Sequence, residues 1–267
     1  MYLRVIACEI AFREICYCAA RSPNIVDLDF LPQGYHDTPR QGVVEIQQRI
    51  EAVPPAKYDA LLLGYGLCSN IIAGLKTPHT PLVIPRAHDC ITFFLGSKER
   101  YQQLFESEPG TYYYTSGWLE CVRRRGEASL AQGTTFMPSN VQGAADAVYR
   151  QWVEKYGEEE ARYLLETMGG WSQTYAQGAL IDFDFTRPLR LADQVRNICA
   201  QRNWTYRELK GDLGLLQRWL DGPWDPRDYL VVQPGETVAP SFDAQIIKAI
   251  PAQVESASSP LEDPKDA

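Results

Sequence analysis

The sequence has no long apolar run and no cluster of positive charge. No stretch approaches the ~20 consecutive apolar residues of a membrane-spanning helix, and the amino terminus lacks the apolar core of a signal peptide. We therefore expect a cytoplasmic protein without a membrane partner. The net charge of -8 is not offset by a basic stripe, and we interpret residues 123–125 (RRR) as a solvated turn. Because nucleic acids bind through clustered Lys and Arg, we expect no nucleic-acid partner.

The chain also lacks a C-x-x-C pair and a phosphate-binding loop of recognisable spacing. Its seven cysteines, an odd number, indicate reduced thiols rather than a disulfide scaffold. The loop at residues 64–70 (GYGLCSN) has neither the G-x-G-x-x-G spacing of dinucleotide sites nor a Walker sequence. It serves either as a turn or as an anion site built from the amides of Gly66, Ser69 and Asn70, and both readings stay open.

Strand and helix signals alternate in the first half of the chain. Strand-like runs occupy residues 2–7, 25–30, 58–64, 81–85 and 111–115, and helical patterns occupy residues 11–20, 39–52, 69–75 and 92–105. This alternation predicts an α/β fold with a Rossmann-like or flavodoxin-like parallel sheet and helices on both faces. Residues 1–135 are expected to form this half.

Residues 136–250 are expected to form a second, helix-rich α/β half packed on the first. Helical patterns cover residues 140–168, 192–202 and 213–220, and strand patterns cover 179–183, 204–209 and 229–232, the last strand. The tail at residues 251–267 is rich in Ser, Pro, Glu and Asp, and we predict that it is disordered.

Three of the predicted strands carry a cysteine at or just past their carboxyl ends, namely Cys8, Cys68 and Cys90. Ligands of open α/β sheets bind at that edge, so we expect the three thiols to converge. Three thiolates suit zinc or, with an open fourth position, an iron–sulfur cluster. The alternative is that Cys8 and Cys68 are small buried core residues. Cys121 is a weaker candidate ligand, and Cys199 is expected in a helix core.

Polar and aromatic residues accompany these cysteines. His88 precedes Cys90 by two positions, so in an extended segment both side chains point the same way, and His88 is a candidate fourth ligand or proton-transfer group. Asp89 is a candidate to orient His88, and Arg86 to clamp a carboxylate; the alternative is an Arg86–Asp89 ion pair. Tyr65 and Trp118 are candidate pocket walls for a methylated, apolar or cationic ligand.

Four segments carry a family resemblance: residues 64–70 (GYGLCSN), 85–92 (PRAHDCIT), 96–101 (GSKERY) and 110–118 (GTYYYTSGW). With them, the chain resembles the family catalogued as domain of unknown function 1638, from residue 1 to about residue 235. Genes for members of that family often lie near genes for corrinoid-dependent methyltransferases and related one-carbon enzymes. The resemblance therefore implies a link to methyl-group metabolism, and it assigns no ligand set.

These observations predict a metal-binding protein of one-carbon or methyl-transfer metabolism. Zinc held by Cys8, Cys68, Cys90 and, as a possible fourth ligand, His88 would keep a substrate thiol as a thiolate. One alternative is an iron–sulfur enzyme with an open three-cysteine cluster. Another is a non-catalytic accessory protein that binds a small ligand or delivers metal. The expected partners are a small-molecule substrate and a corrinoid protein or methyltransferase.

Overall fold

The structure, a computed structural model, describes residues 1–36, 38–68, 70–121 and 175–252, with the isolated positions 153 and 158. The helical pattern predicted at residues 140–168, the boundary predicted at residue 135 and most of the predicted tail lie outside these residues. None of the helices in the described ranges is long and apolar enough to cross a membrane.

The strands and helices alternate along the described chain. The strands are β1 (Tyr2–Cys8), β2 (Ile25–Leu31), β3 (Ala60–Gly64), β4 (Leu82–Pro85), β5 (Thr111–Tyr114), β6 (Gln177–Asp182), β7 (Thr205–Lys210), β8 (Tyr229–Val232), β9 (Glu236–Pro240) and β10 (Ile247–Pro251). The helices with defined ends are α1 (Phe12–Ala19), α2 (Pro39–Glu51), α3 (Ile91–Leu95), α4 (Lys98–Ser107), α5 (Leu191–Arg202) and α6 (Gly214–Asp221). Residues 116–121 are also helical.

The main sheet has the order β2-β1-β3-β4-β8. Its first four strands are parallel, and β8 is antiparallel to β4. Every residue of β3, which reads ALLLG, is buried. This is expected because a central parallel strand has neighbours on both sides and layers on both faces. The prediction of a mixed α/β fold with a parallel sheet is confirmed.

The other strands correct two expectations. β5 does not continue the main sheet but pairs with β6, and β6 pairs with β7, in a separate parallel sheet. β8 is not the last strand, because β9 and β10 follow it as an antiparallel hairpin. A strand pattern predicts the strand itself, but its partner depends on distant segments that no local pattern identifies.

Two predicted helices also differ from the structure. The pattern over residues 92–105 is divided into α3 and α4, because Gly96 takes the left-handed conformation (φ 77°) and Ser97 caps α4 by accepting a hydrogen bond from the Arg100 amide. The helix predicted over residues 69–75 is a series of turns from residue 70 to residue 74. Its Gly74 is also left-handed (φ 86°), which ends any helical segment there.

Candidate cysteine site and cavity

The carboxyl ends of β1, β3 and β4 bring the three candidate cysteines to one edge of the main sheet. Cys8 is the last residue of β1 and is buried, whereas Cys68 and Cys90 follow β3 and β4 and are half-buried. These strands are neighbours in the sheet, and the sheet order changes direction between β1 and β3. In open α/β sheets a crevice for ligands forms at such a point. All seven cysteines lie in the described residues, and none of them forms a disulfide bond.

Backbone contacts fix Cys68 beside the segment that leads to Cys90. The Leu67 amide donates to the Ala87 carbonyl and the Cys68 amide donates to the His88 carbonyl, both at 2.8 Å. A β carbon on Gly66 would lie 2.8 Å from the Asp89 α carbon, so only glycine fits without displacing the backbone. Gly66 therefore provides a close approach of two loops, and the amides of Leu67 and Cys68 are already bonded within the protein.

The other two residues of the predicted anion loop contribute less. Asn70 is exposed in the left-handed conformation (φ 68°) and is not among the described residues that line the cavity. Ser69 lies outside the described residues. Cys68 itself has a positive φ of 41°. This conformation is uncommon for a residue with a β carbon, and such residues concentrate at functional sites.

The three thiols influence one another electrostatically. Burial raises the pKa of Cys90 well above its usual value, and the charges of Cys68, Asp89 and Cys8 raise it further. Burial also raises the pKa of Cys68 to about 12, with Asp89 adding to the effect and backbone hydrogen bonds from Gly66 and Cys90 opposing it. Thiols in such surroundings stay protonated unless a cation is bound near them.

Cys8 belongs to the same group. Burial raises its pKa well above the usual value, a backbone hydrogen bond from Ile10 opposes the shift, and the charges of Cys121 and Cys68 add to it. Cys121 is buried at the end of the helical residues 116–121. Cys121, the weaker candidate ligand, is therefore close enough to Cys8 for its charge to raise the pKa of Cys8. Cys199 packs in a separate core cluster, as expected.

Tyr65 lies against this group. Its ring is 1% exposed, and its hydroxyl has no hydrogen-bond partner among the described residues. Burial raises its pKa well above the usual value, and the charges of Cys8 and Cys68 add to this effect. Because a buried hydroxyl without a partner is destabilising, the Tyr65 hydroxyl indicates a place where a bound species can accept or donate a hydrogen bond.

The side chains do not already form a metal-binding arrangement. Within the part of the chain that the structure describes, no three His, Cys, Asp or Glu side chains are placed to hold a metal ion. The chemistry of the donors fits a soft ion, since thiolates prefer zinc or iron–sulfur clusters. Metal binding would require the thiols to lose their protons and to turn towards a common centre.

A cavity of about 420 Å³ opens beside Cys68 and Cys90. This volume is within the range that holds small molecules. Exposed His88, half-buried Asp89 and the Trp118 ring contribute to its wall. The remaining described lining residues are Ile10, Gln33, His36, Ile91, Phe94, Tyr101, Phe105, Pro109, Thr111, Tyr112, Tyr113, Thr115 and Tyr175.

Asp89 is fixed by two hydrogen bonds. Its Oδ1 accepts from the Ile91 amide and its Oδ2 accepts from the Tyr101 hydroxyl, each at 2.9 Å. Burial raises the pKa of this carboxyl, although the two hydrogen bonds and the charge of His88 oppose the shift. Asp89 therefore connects the cysteine loop to the aromatic wall. Among its described contacts there is no ion pair with Arg86, the alternative that the sequence left open.

Arg86 is directed away from the cavity and into the hairpin region. Its Nε donates to the Pro226 carbonyl at 2.8 Å, and its Nη1 donates to the carbonyls of Gln245, at 2.9 Å, and Ile247. Arg86 is also absent from the described lining of the cavity. Its side chain thus attaches the segment around β10 to the main sheet, and we do not retain it as a carboxylate clamp.

Replacing Arg86 by alanine is expected to lower the free energy of unfolding by about 3 kcal/mol, because the buried Ile247 carbonyl and two part-buried carbonyls would lose a charged donor. Urea unfolding measures the change. The control is Arg196→Ala, whose ion pairs with Asp193 and Glu208 are exposed and should contribute less than about 0.5 kcal/mol. Similar losses for the two variants would contradict this role of Arg86.

Sequence reasoning missed several residues near the site. His36 is half-buried, lines the cavity and stacks on Tyr65 with ring centroids 6.1 Å apart. Tyr101, Tyr112 and Tyr113 form part of the aromatic wall. The YYY run was visible in the sequence, but its relation to the cysteine loops depends on how the second sheet packs.

Glu14 was also missed. It is fully buried on α1, its Oε1 accepts a hydrogen bond from the Ser116 hydroxyl at 2.7 Å, and its Oε2 has no partner among the described residues. Burial raises the pKa of Glu14 to about 7, and the hydrogen bond from Ser116 only partly opposes this. The available signal was helical spacing, since Glu14 lies four residues before the buried Cys18 and so shares its face of the helix.

The raised pKa of Glu14 gives a prediction about pH. The folded state keeps the proton that the unfolded chain loses near pH 4.5, so this group stabilises the fold at acid pH. Its contribution should fall by about 3 kcal/mol as the pH rises from about 4.5 to about 7. Glu14→Gln should remove this part of the pH dependence in urea unfolding. An unchanged pH profile in the variant would refute the assignment.

Comparison with known proteins adds one result. A family model described as "Protein of unknown function (DUF1638)" matches residues 30–220, more than half of the chain. The matched range includes Cys68, His88, Asp89 and Cys90, whereas Cys8 precedes it. No curated protein and no solved structure matches the chain. The chain belongs to the DUF1638 family, which confirms the resemblance carried by the four segments between residues 64 and 118.

Proposed function

We propose that this protein binds a soft metal ion, zinc, through Cys8, Cys68 and Cys90, next to a cavity that receives a small molecule. One observation carries the proposal: β1, β3 and β4 are adjacent strands with a common carboxyl edge, where Cys8 ends β1 and Cys68 and Cys90 follow β3 and β4. Besides burial, the charges of Cys68 and Cys8 also raise the pKa of Cys90. Structural or catalytic zinc is bound by ligands of this type, with Zn–S distances of ~2.3 Å. Thiols that can turn towards a common centre have this chemistry available.

The role of the ion follows from its ligand count. Three thiolates leave a coordination position for a substrate, and zinc would keep a substrate thiol there as a thiolate at neutral pH. We infer an activity of the methyl-transfer type, in which such a thiolate would attack the methyl carbon of a donor, such as a methylated corrinoid. The bond between the methyl group and the donor would break, and its electron pair would stay with the donor. His88, exposed at the cavity, and Asp89 would then move or hold protons. If His88 instead completes the tetrahedron, the site is closed and an accessory or metal-delivery role follows.

The strand order supports a flavodoxin-like variant of the proposed Rossmann-like fold. The parallel strands run in the order β2-β1-β3-β4, the arrangement of flavodoxin-like sheets, whose ligands bind at the switch between β1 and β3. Cys8 ends the first of those two strands, and Cys68 follows the second. The antiparallel β8 at the edge departs from that pattern.

A second candidate is a metal-free protein that binds a small molecule in the cavity. It is favoured by the fact that no three ligand side chains among the described residues already surround one point. In this reading the cysteines are neutral wall residues, as their raised pKa values allow. The iron–sulfur alternative uses the same three cysteines as the zinc proposal.

Elemental analysis of protein purified without oxygen tests these alternatives. About one zinc per chain supports the zinc site, and several irons with a brown colour support a cluster. Protein that holds no metal and takes up neither zinc nor iron in equilibrium dialysis would refute the metal proposal. The metal-free candidate would then remain, and ligand binding would be its test.

A further inference from the structure

The wall of the cavity beyond the cysteines is aromatic, and Asp89 is the one carboxyl residue among its described lining residues. Tyr112 lies 6.2 Å from Trp118 and 5.3 Å from Tyr175 between ring centroids, with interplanar angles of 58° and 84°. Tyr101 and Tyr113 form a second pair at 5.7 Å and 87°. Rings at such angles present their faces in several directions, so a ligand inside can contact more than one face.

The charged groups of this wall also favour a cation. Asp89 contributes a carboxyl, held at the aromatic wall by the Tyr101 hydroxyl. Among the described residues that line the cavity, none is Lys or Arg. An anionic ligand would find no Lys or Arg side chain in this described lining, where His88 and His36 are the basic groups, whereas a cation would find a carboxyl and several electron-rich ring faces.

We propose that the cavity binds an organic cation of the quaternary ammonium type, held against Trp118 and Tyr112 and oriented by Asp89. The ring faces attract the positive charge. A quaternary ammonium ion is covered by alkyl groups, so it loses less hydration than an unsubstituted ammonium ion when it contacts an apolar wall. A cavity of about 420 Å³ is large enough for a molecule of this size. The inference uses the cavity of the proposed function and names its ligand class, but it does not require the metal.

Calorimetric titration of the whole protein with three probes of similar shape tests the charge preference. The probes are choline, the uncharged dimethylbutanol in which carbon replaces nitrogen, and the carboxylate dimethylbutyrate. We expect choline to bind about tenfold more tightly than the alcohol, with the carboxylate weakest. Equal affinities, tighter binding of the alcohol or carboxylate, or no binding of choline at millimolar concentration would overturn the proposal.

Substitutions locate the effect. Trp118→Leu keeps an apolar wall but removes the ring face, so choline should lose about tenfold in affinity and the alcohol much less. Asp89→Asn keeps an acceptor for the Ile91 amide and should also reduce the preference for the cation. The control Tyr17→Leu removes an exposed ring that does not line this cavity and should change nothing. An unchanged preference in both site variants would contradict the assignment.

Titrations in metal-stripped and zinc-loaded protein separate this inference from the proposed function. Preference for choline in protein that takes up no zinc supports the cation site and refutes the metal site. Zinc uptake without any preference for choline supports the metal site and refutes the cation site. If Trp118→Leu fails to fold, as judged by circular dichroism, the comparison of the three probes on the unaltered protein still decides the question.

Discussion

Serine in place of Cys68 is expected to lower the affinity for zinc by a factor of about a hundred or more. Loss of a residue that only supports a metal ligand costs ten- to a hundredfold, so loss of a ligand should cost at least as much. A serine hydroxyl is a poor substitute because zinc selects the thiolate. Competition with a chromogenic chelator measures the affinity, and Cys8→Ser and Cys90→Ser should behave alike.

The matched control is Cys16→Ser. Cys16 is half-buried on α1, and its raised pKa is due to burial and Glu14 rather than to the other three thiols. It should retain the zinc affinity of the unaltered protein. Equal zinc affinities for Cys16→Ser and the three site variants would show that Cys8, Cys68 and Cys90 are not zinc ligands. A loss of zinc affinity in only one of the three site variants would show that only that thiol matters for binding.

Alanine in place of Gly66 is expected to destabilise the protein by about 3 kcal/mol. The added β carbon would lie 2.8 Å from the Asp89 α carbon and 2.9 Å from the Asp89 nitrogen, so it would meet backbone that cannot rotate aside. The loops are also tied by the Cys68–His88 hydrogen bond, which resists their separation. Since this contact sets the relation of Cys68 to Cys90, zinc affinity should fall as well.

Gly74→Ala is a suitable comparison for Gly66→Ala. Gly74 has a positive φ of 86°, but a β carbon there meets nothing within 4 Å. Its substitution should therefore carry only the conformational penalty of about 1 kcal/mol. In urea unfolding, Gly66→Ala should have a clearly lower free energy of unfolding than Gly74→Ala. The reverse order would contradict the close approach of the two loops.

The sequence predicted that three cysteines lie at the carboxyl edge of the main sheet, because the signals for the strands and for their ends are local. The run ALLLG in β3 is apolar throughout, as a buried parallel strand must be, and the loops after β1, β3 and β4 follow directly from the strand ends. The common edge of parallel strands then requires no knowledge of distant contacts. The family resemblance was predictable for the same reason, since it rests on continuous segments.

The role of Arg86 could not be predicted, because its partners come from the other end of the chain. The carbonyls of Pro226, Gln245 and Ile247 belong to segments at least 140 residues away. Nothing near Arg86 in the sequence distinguishes an arginine that faces a ligand from one that binds backbone carbonyls. The expected position after a strand end was correct, but the direction of the side chain depends on tertiary packing.

The aromatic cavity wall was only partly predictable for a related reason. Trp118 was identified as a pocket residue, but Tyr101 and Tyr113 meet only because α4 packs beside β5, which belongs to the second sheet. Strand partners separated by many residues are set by packing and loop closure rather than by local pattern. The buried Glu14–Ser116 contact likewise joins residues 102 positions apart.

X-ray absorption spectroscopy of the zinc-loaded protein tests the central claim most directly, because it identifies the atoms bound to the ion. The account predicts about three sulfur neighbours at ~2.3 Å, with a lighter atom from His88, a solvent molecule or a substrate in the remaining position. The sulfur count should fall by one in Cys68→Ser that is loaded with excess zinc. A spectrum with only nitrogen and oxygen neighbours would contradict the cysteine site.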